Sequence, residues 1–209
     1  MASALESTIQ ELIDVGRRFD LRGLAPATSG NYSARVDDER IAITVSGSHK
    51  GRLRPADVML VDLEGHALDA RTPSAETPLH TAVYRMCPSV NAVLHVHSVA
   101  AVALTMFLPE SSNVTLDGYE LLKALPGIRT HEVRIDIPVL DNSQDTEALG
   151  QLLGLRLQSP PLPHALLIRG HGINTWGTSV LEAERVFEAL EHLFKCELQL
   201  MQLHARGEV

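Results

Sequence analysis

Two histidines separated by one residue lie in a stretch that otherwise has the composition of a buried β-strand, Val93-Leu94-His95-Val96-His97-Ser98. Because side chains at positions i and i+2 of a strand point to the same face of a sheet, we expect His95 and His97 to project side by side. Imidazole is the commonest protein ligand for metals, and two imidazoles on one strand supply half of a tetrahedral site. The alternative is that both histidines are ordinary polar strand residues with hydrogen-bond partners.

A third histidine follows another predicted strand, which covers residues 164–169. His171 lies between Gly170 and Gly172, where the lack of side chains allows the backbone to approach a neighbour closely. Three neutral imidazoles with an open coordination position are typical of catalytic zinc sites, whereas structural zinc sites are closed and usually rich in cysteine. The pattern therefore favours a catalytic metal site.

Two small polar loops flank a predicted strand pair. The first contains Thr28-Ser29-Gly30-Asn31, and the second contains Ser46-Gly47-Ser48 followed by Lys50. Each loop alone is typical of a plain turn, but together they offer backbone N–H groups, hydroxyls and an ammonium group that suit a phosphate. Neither loop has the spacing of a P-loop or of a dinucleotide-binding fingerprint, so a nucleotide is not indicated.

Two glutamates are candidates for acid–base chemistry. Glu76 follows Ser74 at the start of a predicted helix over residues 77–86, where it could equally serve the helix N-terminus. Glu120 lies in a predicted short helix over residues 116–125, where a solvated glutamate would be ordinary. A metal that polarises a ketone, a phosphate cradle and a carboxylate that moves a proton would together suit a phosphorylated ketose.

Composition excludes several classes of protein. The 209 residues are 44% hydrophobic and 21% charged, a globular composition, and the length suits one domain over residues 1–209, which the mixture of predicted helices and strands makes α/β. A net charge of -8 without a basic run argues against nucleic-acid partners, and no apolar stretch reaches the ~18 residues of a membrane span. Two cysteines distant in sequence and no signal-peptide pattern in residues 1–10 indicate a cytoplasmic protein.

The remaining segments alternate between helical and strand patterns. Residues 141–158 predict a helix with four leucines facing inward, at positions 149, 152, 153 and 155, and residues 174–177 predict a turn. The other predictions are a helix over 5–23, strands over 41–45, 58–62 and 133–137, and a long final helix that begins near residue 179.

The order of these motifs resembles the class II aldolase family. The shared motifs are Thr28-Ser29-Gly30-Asn31, Ser46-Gly47-Ser48, Ser74-Ala75-Glu76, His95-Val96-His97 and Gly170-His171-Gly172, and the resemblance extends from about Leu5 to Leu200. Within that family the chain is most similar to the methylthioribulose-1-phosphate dehydratases of methionine salvage. The segments that suggest this are residues 48–51, 75–80 and 118–125.

The resemblance implies a three-layer α/β/α fold around a mainly antiparallel sheet, and a homotetramer with active sites near subunit interfaces. It also implies one Zn²⁺ per subunit, held by His95, His97 and His171. The phosphate-binding residues that it implies are Thr28, Ser29, Gly30, Asn31, Ser46, Gly47, Ser48 and Ser74, to which we add Lys50. The glutamate that matches Glu76 is the acid–base group of the aldolases, and the one that matches Glu120 has this role in the dehydratases. We therefore expect Glu120 to carry the chemistry, with Glu76 as the second candidate.

The expected reaction is the dehydration of 5-methylthioribulose 1-phosphate to 5-methylthio-2,3-dioxopentyl 1-phosphate, through a metal-stabilised enediolate. Two alternatives stay open. The first is an aldolase or epimerase for fuculose, rhamnulose or ribulose phosphate, which would need the same metal and phosphate groups. The second is a metal-binding interaction domain without catalysis, because a fold alone does not fix a function. Iron, cobalt or manganese would also suit three imidazoles.

Overall fold

The computed structural model describes residues 3–158 and 160–207. Its centre is an eight-stranded sheet in the order β3-β2-β1-β4-β8-β7-β6-β5. Neighbouring strands are antiparallel except β6 and β7, which pair in parallel. The strands are β1 (Asn31–Arg35), β2 (Arg40–Thr44), β3 (Val58–Asp62), β4 (Ala92–Val96), β5 (Asn113–Asp117), β6 (Arg134–Leu140), β7 (Ala165–Ile168) and β8 (Gly172–Gly177). The helices are α1 (Ala4–Leu21), α2 (Thr77–Met86), α3 (Val99–Phe107), α4 (Thr146–Arg156) and α5 (Val180–Arg206).

Helices cover both faces of the sheet. On one face α1, α3 and α5 bury residues such as Phe19, Leu104 and Phe187. On the other face α2 and α4 bury residues such as Leu79 and Leu153. The structure therefore confirms the predicted three-layer α/β/α fold with a mainly antiparallel sheet. None of the helices in the described ranges is both long enough and apolar enough to cross a bilayer.

Local sequence patterns located most of the elements. The predicted helices over 5–23 and 77–86 correspond to α1 and α2, and the predicted strands over 41–45, 58–62 and 133–137 correspond to β2, β3 and β6. The chain leaves α1 through Gly23, which has the positive φ of +71° that glycine tolerates best. These segments have clear hydrophobic periodicity, which is why the sequence alone predicts them.

The predicted turn over residues 174–177 is wrong, because these residues belong to β8. This strand lies between β4 and β7 in the middle of the sheet, and all of its residues are buried. Its glycine, asparagine and threonine residues have the composition of a turn, but pairing on both edges satisfies the backbone. Asn174 lies directly opposite His95 in the β4–β8 ladder.

Two helix predictions are also wrong in part. Residues 116–125 were expected to form one helix, but β5 extends to Asp117, and a 3-10 helix over Glu120–Ala124 follows Gly118, whose φ is +74°. The helix expected over 141–158 is α4, which is shorter. Its residues Leu152 and Leu155 are 47% and 61% exposed, because α4 packs against α2 along one narrow face. None of the predicted elements covers α3, although this helix directly follows the His-x-His pair.

Candidate metal centre and phosphate pocket

Three histidine rings from two segments of the chain meet at one end of the sheet. The ring centroids of His95 and His97 are 5.0 Å apart, and the ring of His171 lies 4.9 Å from the first and 4.7 Å from the second. One ligand nitrogen of each ring lies within 4.8 Å of those of the other two. This spacing suits three nitrogen ligands around one metal ion of the size of zinc, at Zn–N distances of about 2.0–2.1 Å.

The sheet holds these rings in place. His95 lies in β4 and is fully buried, and His97 follows the last residue of that strand. His171 lies in the tight turn between β7 and β8, where its backbone N–H donates to the carbonyl of Ile168 at 3.0 Å. A Cβ at Gly172 would overlap the carbonyl oxygen of Val96, so only glycine lets β8 approach β4 closely enough at this point.

The charge and hydrogen bonding of the His95 imidazole fit those of a metal ligand. Its Nδ1–H donates to the carbonyl of Ile173 at 3.1 Å, so the lone pair lies on Nε2, which is buried and has no hydrogen-bond partner among the described residues. Burial lowers the pKa of His95 to about 3, which keeps the imidazole neutral at pH 7. A histidine whose second nitrogen donates to a backbone carbonyl is the usual arrangement of a metal ligand. The buried Nδ1 of His171 likewise has no partner in the described part of the chain.

Glu76 lies beside the histidines. Its Oε1 is 3.0 Å from Nε2 of His171, its Oε2 is 3.2 Å from Nε2 of His95, and Oε2 accepts a hydrogen bond of 2.7 Å from the Asn31 amide. Burial favours a higher pKa for Glu76, but the two imidazoles and the Asn31 amide outweigh it and hold the pKa below the usual range of a glutamate. Glu76 occupies the N-cap position of α2, yet its side chain makes no capping bond. The carboxylate therefore faces the histidine cluster instead of the helix N-terminus.

A cavity of about 260 Å³ adjoins the metal centre. Glu76, His97 and His171 line it together with eight of the nine residues expected to bind phosphate, namely Thr28, Ser29, Gly30, Asn31, Ser46, Gly47, Lys50 and Ser74. Ser48, the ninth, does not line this cavity, and its carbonyl accepts a hydrogen bond of 2.6 Å from Lys50.

Lys50 joins the two polar loops of this cavity. Its buried Nζ donates to the carbonyl oxygens of Thr28 at 3.0 Å and Ser48 at 2.6 Å. Burial lowers the pKa of Lys50 to about 8, so the ammonium form still predominates near neutral pH. The hydroxyl of Ser29 is buried and has no hydrogen-bond partner in the described structure. A cation and an unsatisfied hydroxyl in one small cavity are what a phosphate would complement.

Glu120 lies outside this cavity. Its side chain is 70% exposed, pairs with Lys123, and lies 3.5 Å from the imidazole of His131. It follows β5, which is four strand positions from β4 in the sheet. Within one chain, the structure therefore brings Glu76 and not Glu120 to the histidines.

Three buried polar residues that extend from Glu76 into the core are not among the predicted site residues, namely Ser33, His80 and Tyr84. They continue the hydrogen bonds of Asn31 into the core. One sequence signal could have indicated them. Glu76, His80 and Tyr84 recur every fourth residue on α2, and Asn31 and Ser33 share one face of β1.

Comparison with known proteins agrees with this arrangement. The family model described as class II aldolase and adducin N-terminal domain matches residues 10–198. The methylthioribulose-1-phosphate dehydratase of Methylococcus capsulatus is 54% identical over 195 residues, which cover 93% of this chain and 95% of that protein. The dehydratase of the same name from Marinobacter nauticus is 48% identical over 196 residues, or 93% and 94% of the two chains.

Solved structures agree as well. The L-fuculose-1-phosphate aldolase of Thermus thermophilus superposes with a TM-score of 0.76 at 28% identity and covers 98% of this chain and 97% of its own. The family match spans nearly the whole chain, and the matched region includes every histidine of the cluster. The chain therefore belongs to the class II aldolase and adducin family.

Proposed function

We propose that this chain is a hydro-lyase that dehydrates 5-methylthioribulose 1-phosphate to 5-methylthio-2,3-dioxopentyl 1-phosphate, a step of methionine salvage. The observation that carries the proposal is that Glu76, His97, His171 and the two polar loops line one cavity, and that His95 completes the histidine cluster beside it. The identity of 54% to a dehydratase over almost the full length supports this substrate over other phosphorylated ketoses. We also infer that the enzyme acts in the cytoplasm.

His95, His97 and His171 would hold one divalent metal ion, for which we propose zinc. The buried Nε2 of His95 supports this assignment, since it lies 3.2 Å from Glu76 Oε2 but has no hydrogen-bond partner among the described residues, and a buried polar atom in that state is costly. A bound divalent ion would act as a Lewis acid that stabilises the negative charge developing on the ketose oxygens.

The polar loops would bind the phosphate of the substrate. The hydroxyl of Ser29 and the ammonium of Lys50 are the strongest candidates, because the first has no hydrogen-bond partner within residues 3–158 and 160–207 and the second carries a charge. Thr28, Gly30, Asn31, Ser46, Gly47 and Ser74 complete the lining. Ser48 would act indirectly, through the hydrogen bond from Lys50 to its carbonyl.

Two carboxylates would move the protons of the reaction. Glu76 would accept the proton from C3, since its carboxylate is ionised and lies beside the histidines. The C4 hydroxyl would then leave as water after protonation by Glu120, and the resulting enol would tautomerise to the diketone with every carbon–carbon bond intact. Glu76 would release its proton to solvent and Glu120 would take one up, which restores both groups. Because Glu120 lies outside the cavity of its own chain, its role requires that a second copy bring it there, as a homotetramer with sites at subunit interfaces would do.

The reaction itself tests this proposal. Metal-replete protein is incubated with 5-methylthioribulose 1-phosphate, and the products are followed by mass spectrometry. A product lighter by one water, abolished by a chelator and restored by zinc, is the expected result. Fragments from cleavage between C3 and C4 would instead make the chain an aldolase, the activity named for the Thermus thermophilus relative.

A further inference from the structure

A strand and a helix bring five polar side chains into one line beneath the metal centre. Asn31 and Ser33 project from the same face of β1, about 6.8 Å apart along the strand. Glu76, the N-cap of α2, is followed within the helix by His80 and Tyr84 at four-residue intervals, about 6 Å per step. Because the spacing of these residues along the strand is nearly the same as their spacing along the helix, the side chains of the strand fit between those of the helix.

Hydrogen bonds connect all five side chains. Asn31 Nδ2 lies 2.7 Å from Glu76 Oε2, and Asn31 Oδ1 lies 2.6 Å from His80 Nε2. The other ring nitrogen, His80 Nδ1, lies 2.6 Å from Ser33 Oγ, which lies 2.9 Å from the Tyr84 hydroxyl. Ser33 and His80 are fully buried, and Asn31 and Tyr84 nearly so.

The carboxylate at one end decides the direction of every bond in the chain. An ionised carboxylate only accepts, so the Asn31 amide presents its NH₂ group to Glu76 and its oxygen to His80. His80 must then carry its proton on Nε2 in order to donate to that oxygen. Burial lowers the pKa of His80 to about 4, so the ring is neutral and Nδ1 accepts from the Ser33 hydroxyl. Ser33 in turn accepts from Tyr84.

We propose that His80 is a positioning residue for Glu76, which it orients by fixing the side-chain amide of Asn31 with its NH₂ group toward the carboxylate. Ser33 and Tyr84 keep His80 in the Nε2–H form that this requires. Four donors that point the same way polarise one another, which strengthens the last bond, from Asn31 to Glu76. The inference rests on the proposed function, because it takes Glu76 as the group that accepts the substrate proton.

The tautomer of His80 is the most direct test. Multiple-bond nitrogen–proton NMR correlations of the histidine rings in the metal-loaded protein distinguish Nε2–H from Nδ1–H, and the His80 signal is the one lost in His80→Gln. We expect His80 to be neutral with its proton on Nε2, and to lose this single form in Ser33→Ala. An Nδ1–H ring in the wild-type protein would overturn the inference. This measurement needs no turnover, so it stands even if the dehydratase proposal fails.

Kinetics separate positioning from simple packing. Ser33→Ala and Tyr84→Phe each remove one hydroxyl, and each should lower kcat, by up to about tenfold for the loss of one buried hydrogen bond, with KM and bound metal unchanged. Ser33→Thr keeps the hydroxyl and should restore kcat. The matched control is Tyr32→Phe, since Tyr32 lies between the two strand residues, is fully buried, and has a hydroxyl without a partner in the described residues.

Tyr32→Phe should keep the kcat of the wild-type enzyme. An equal loss of kcat in Tyr32→Phe and Tyr84→Phe, or no loss in both Ser33→Ala and Tyr84→Phe, would contradict a positioning role. A wild-type protein that does not dehydrate the substrate would instead reject the proposed function, and the tautomer would then decide the inference.

Discussion

Oε1 of Glu76 lies 3.0 Å from Nε2 of His171, although the two residues are 95 positions apart in the sequence. The turn between β7 and β8 brings His171 to the N-terminus of α2, where Glu76 precedes the first helical residue. Asn31 holds the same carboxylate from the other side. A carboxylate held in this way can exchange a proton with a substrate at one defined place beside the metal centre.

We expect Glu76→Gln to lower kcat by about 10²–10⁴-fold, because general acid–base groups contribute this much to catalysis and an amide cannot take the C3 proton. The three histidines remain, so the metal content per chain should stay near that of the wild-type protein. Steady-state kinetics and metal analysis check this. The matched control is Glu147→Gln, which changes an exposed glutamate in the first turn of α4 and should have no effect. Full activity of Glu76→Gln would remove Glu76 from the mechanism.

Glu120→Gln should also be inactive, but for a reason that involves two subunits. If Glu120 serves the cavity of a neighbouring copy, mixing inactive Glu120→Gln with inactive His97→Ala should restore part of the activity. Some mixed sites would then combine intact histidines from one chain with Glu120 from the other. The measurement is activity after the two variants are unfolded and refolded together. Mixtures that stay inactive, although mixed oligomers form, would contradict a role across an interface.

The metal-free protein should lose stability as the pH falls below about 6.5. The pKa values of His80 and His95 are lowered by burial to about 4 and about 3, whereas the unfolded chain binds these protons near pH 6.5. Between the folded and unfolded pKa values the unfolded state binds more protons than the folded state. Each histidine should therefore lower the free energy of unfolding by roughly 2 kcal/mol at pH 5. Urea denaturation in the presence of a chelator at pH 7.5 and pH 5 measures this difference. The same decrease should occur in His192→Gln, which removes an exposed imidazole, and an unchanged unfolding free energy at pH 5 would contradict the buried, neutral histidines.

Gly172→Ala should separate β8 from β4 and weaken metal binding, because the new methyl group would overlap the Val96 carbonyl and press on the His95 ring. We expect a lower Tm and less than one bound metal ion per chain. Gly154→Ala is the control, since a Cβ at this position in α4 meets no atom of the described residues within 4 Å, and it should raise stability by about 0.4–1 kcal/mol. Thermal unfolding and metal analysis of both variants test the difference, and normal metal binding by Gly172→Ala would show that this close approach is dispensable.

The sequence predicted the elements and residues whose signals are local. The apolar run around His95 and His97 predicts the strand, and the glycines around His171 predict a close backbone approach. The polarity of residues 174–177 concealed a central strand, because the strands on either side, and not its own composition, stabilise β8.

Long-range relationships were less accessible to sequence reasoning. His80 has its partners on a strand far away in the chain, so the four-residue repeat of Glu76, His80 and Tyr84 does not by itself show what His80 contacts. The position of Glu120 depends on how β5 and the following 3-10 helix pack, which its own segment does not determine. The resemblance to the class II aldolases indicated the type of chemistry, but the structure was needed to see which glutamate faces the histidines.

One titration tests the central claim, that the three histidines hold a metal ion required for dehydration. Protein treated with a chelator is supplied with zinc in steps, and the rate of water loss from 5-methylthioribulose 1-phosphate is measured at each step. We expect activity to rise linearly and to level off at one zinc per chain, with no recovery in His97→Ala. Dehydration that persists in the metal-free protein, or that His97→Ala recovers fully at one zinc per chain, would contradict the claim.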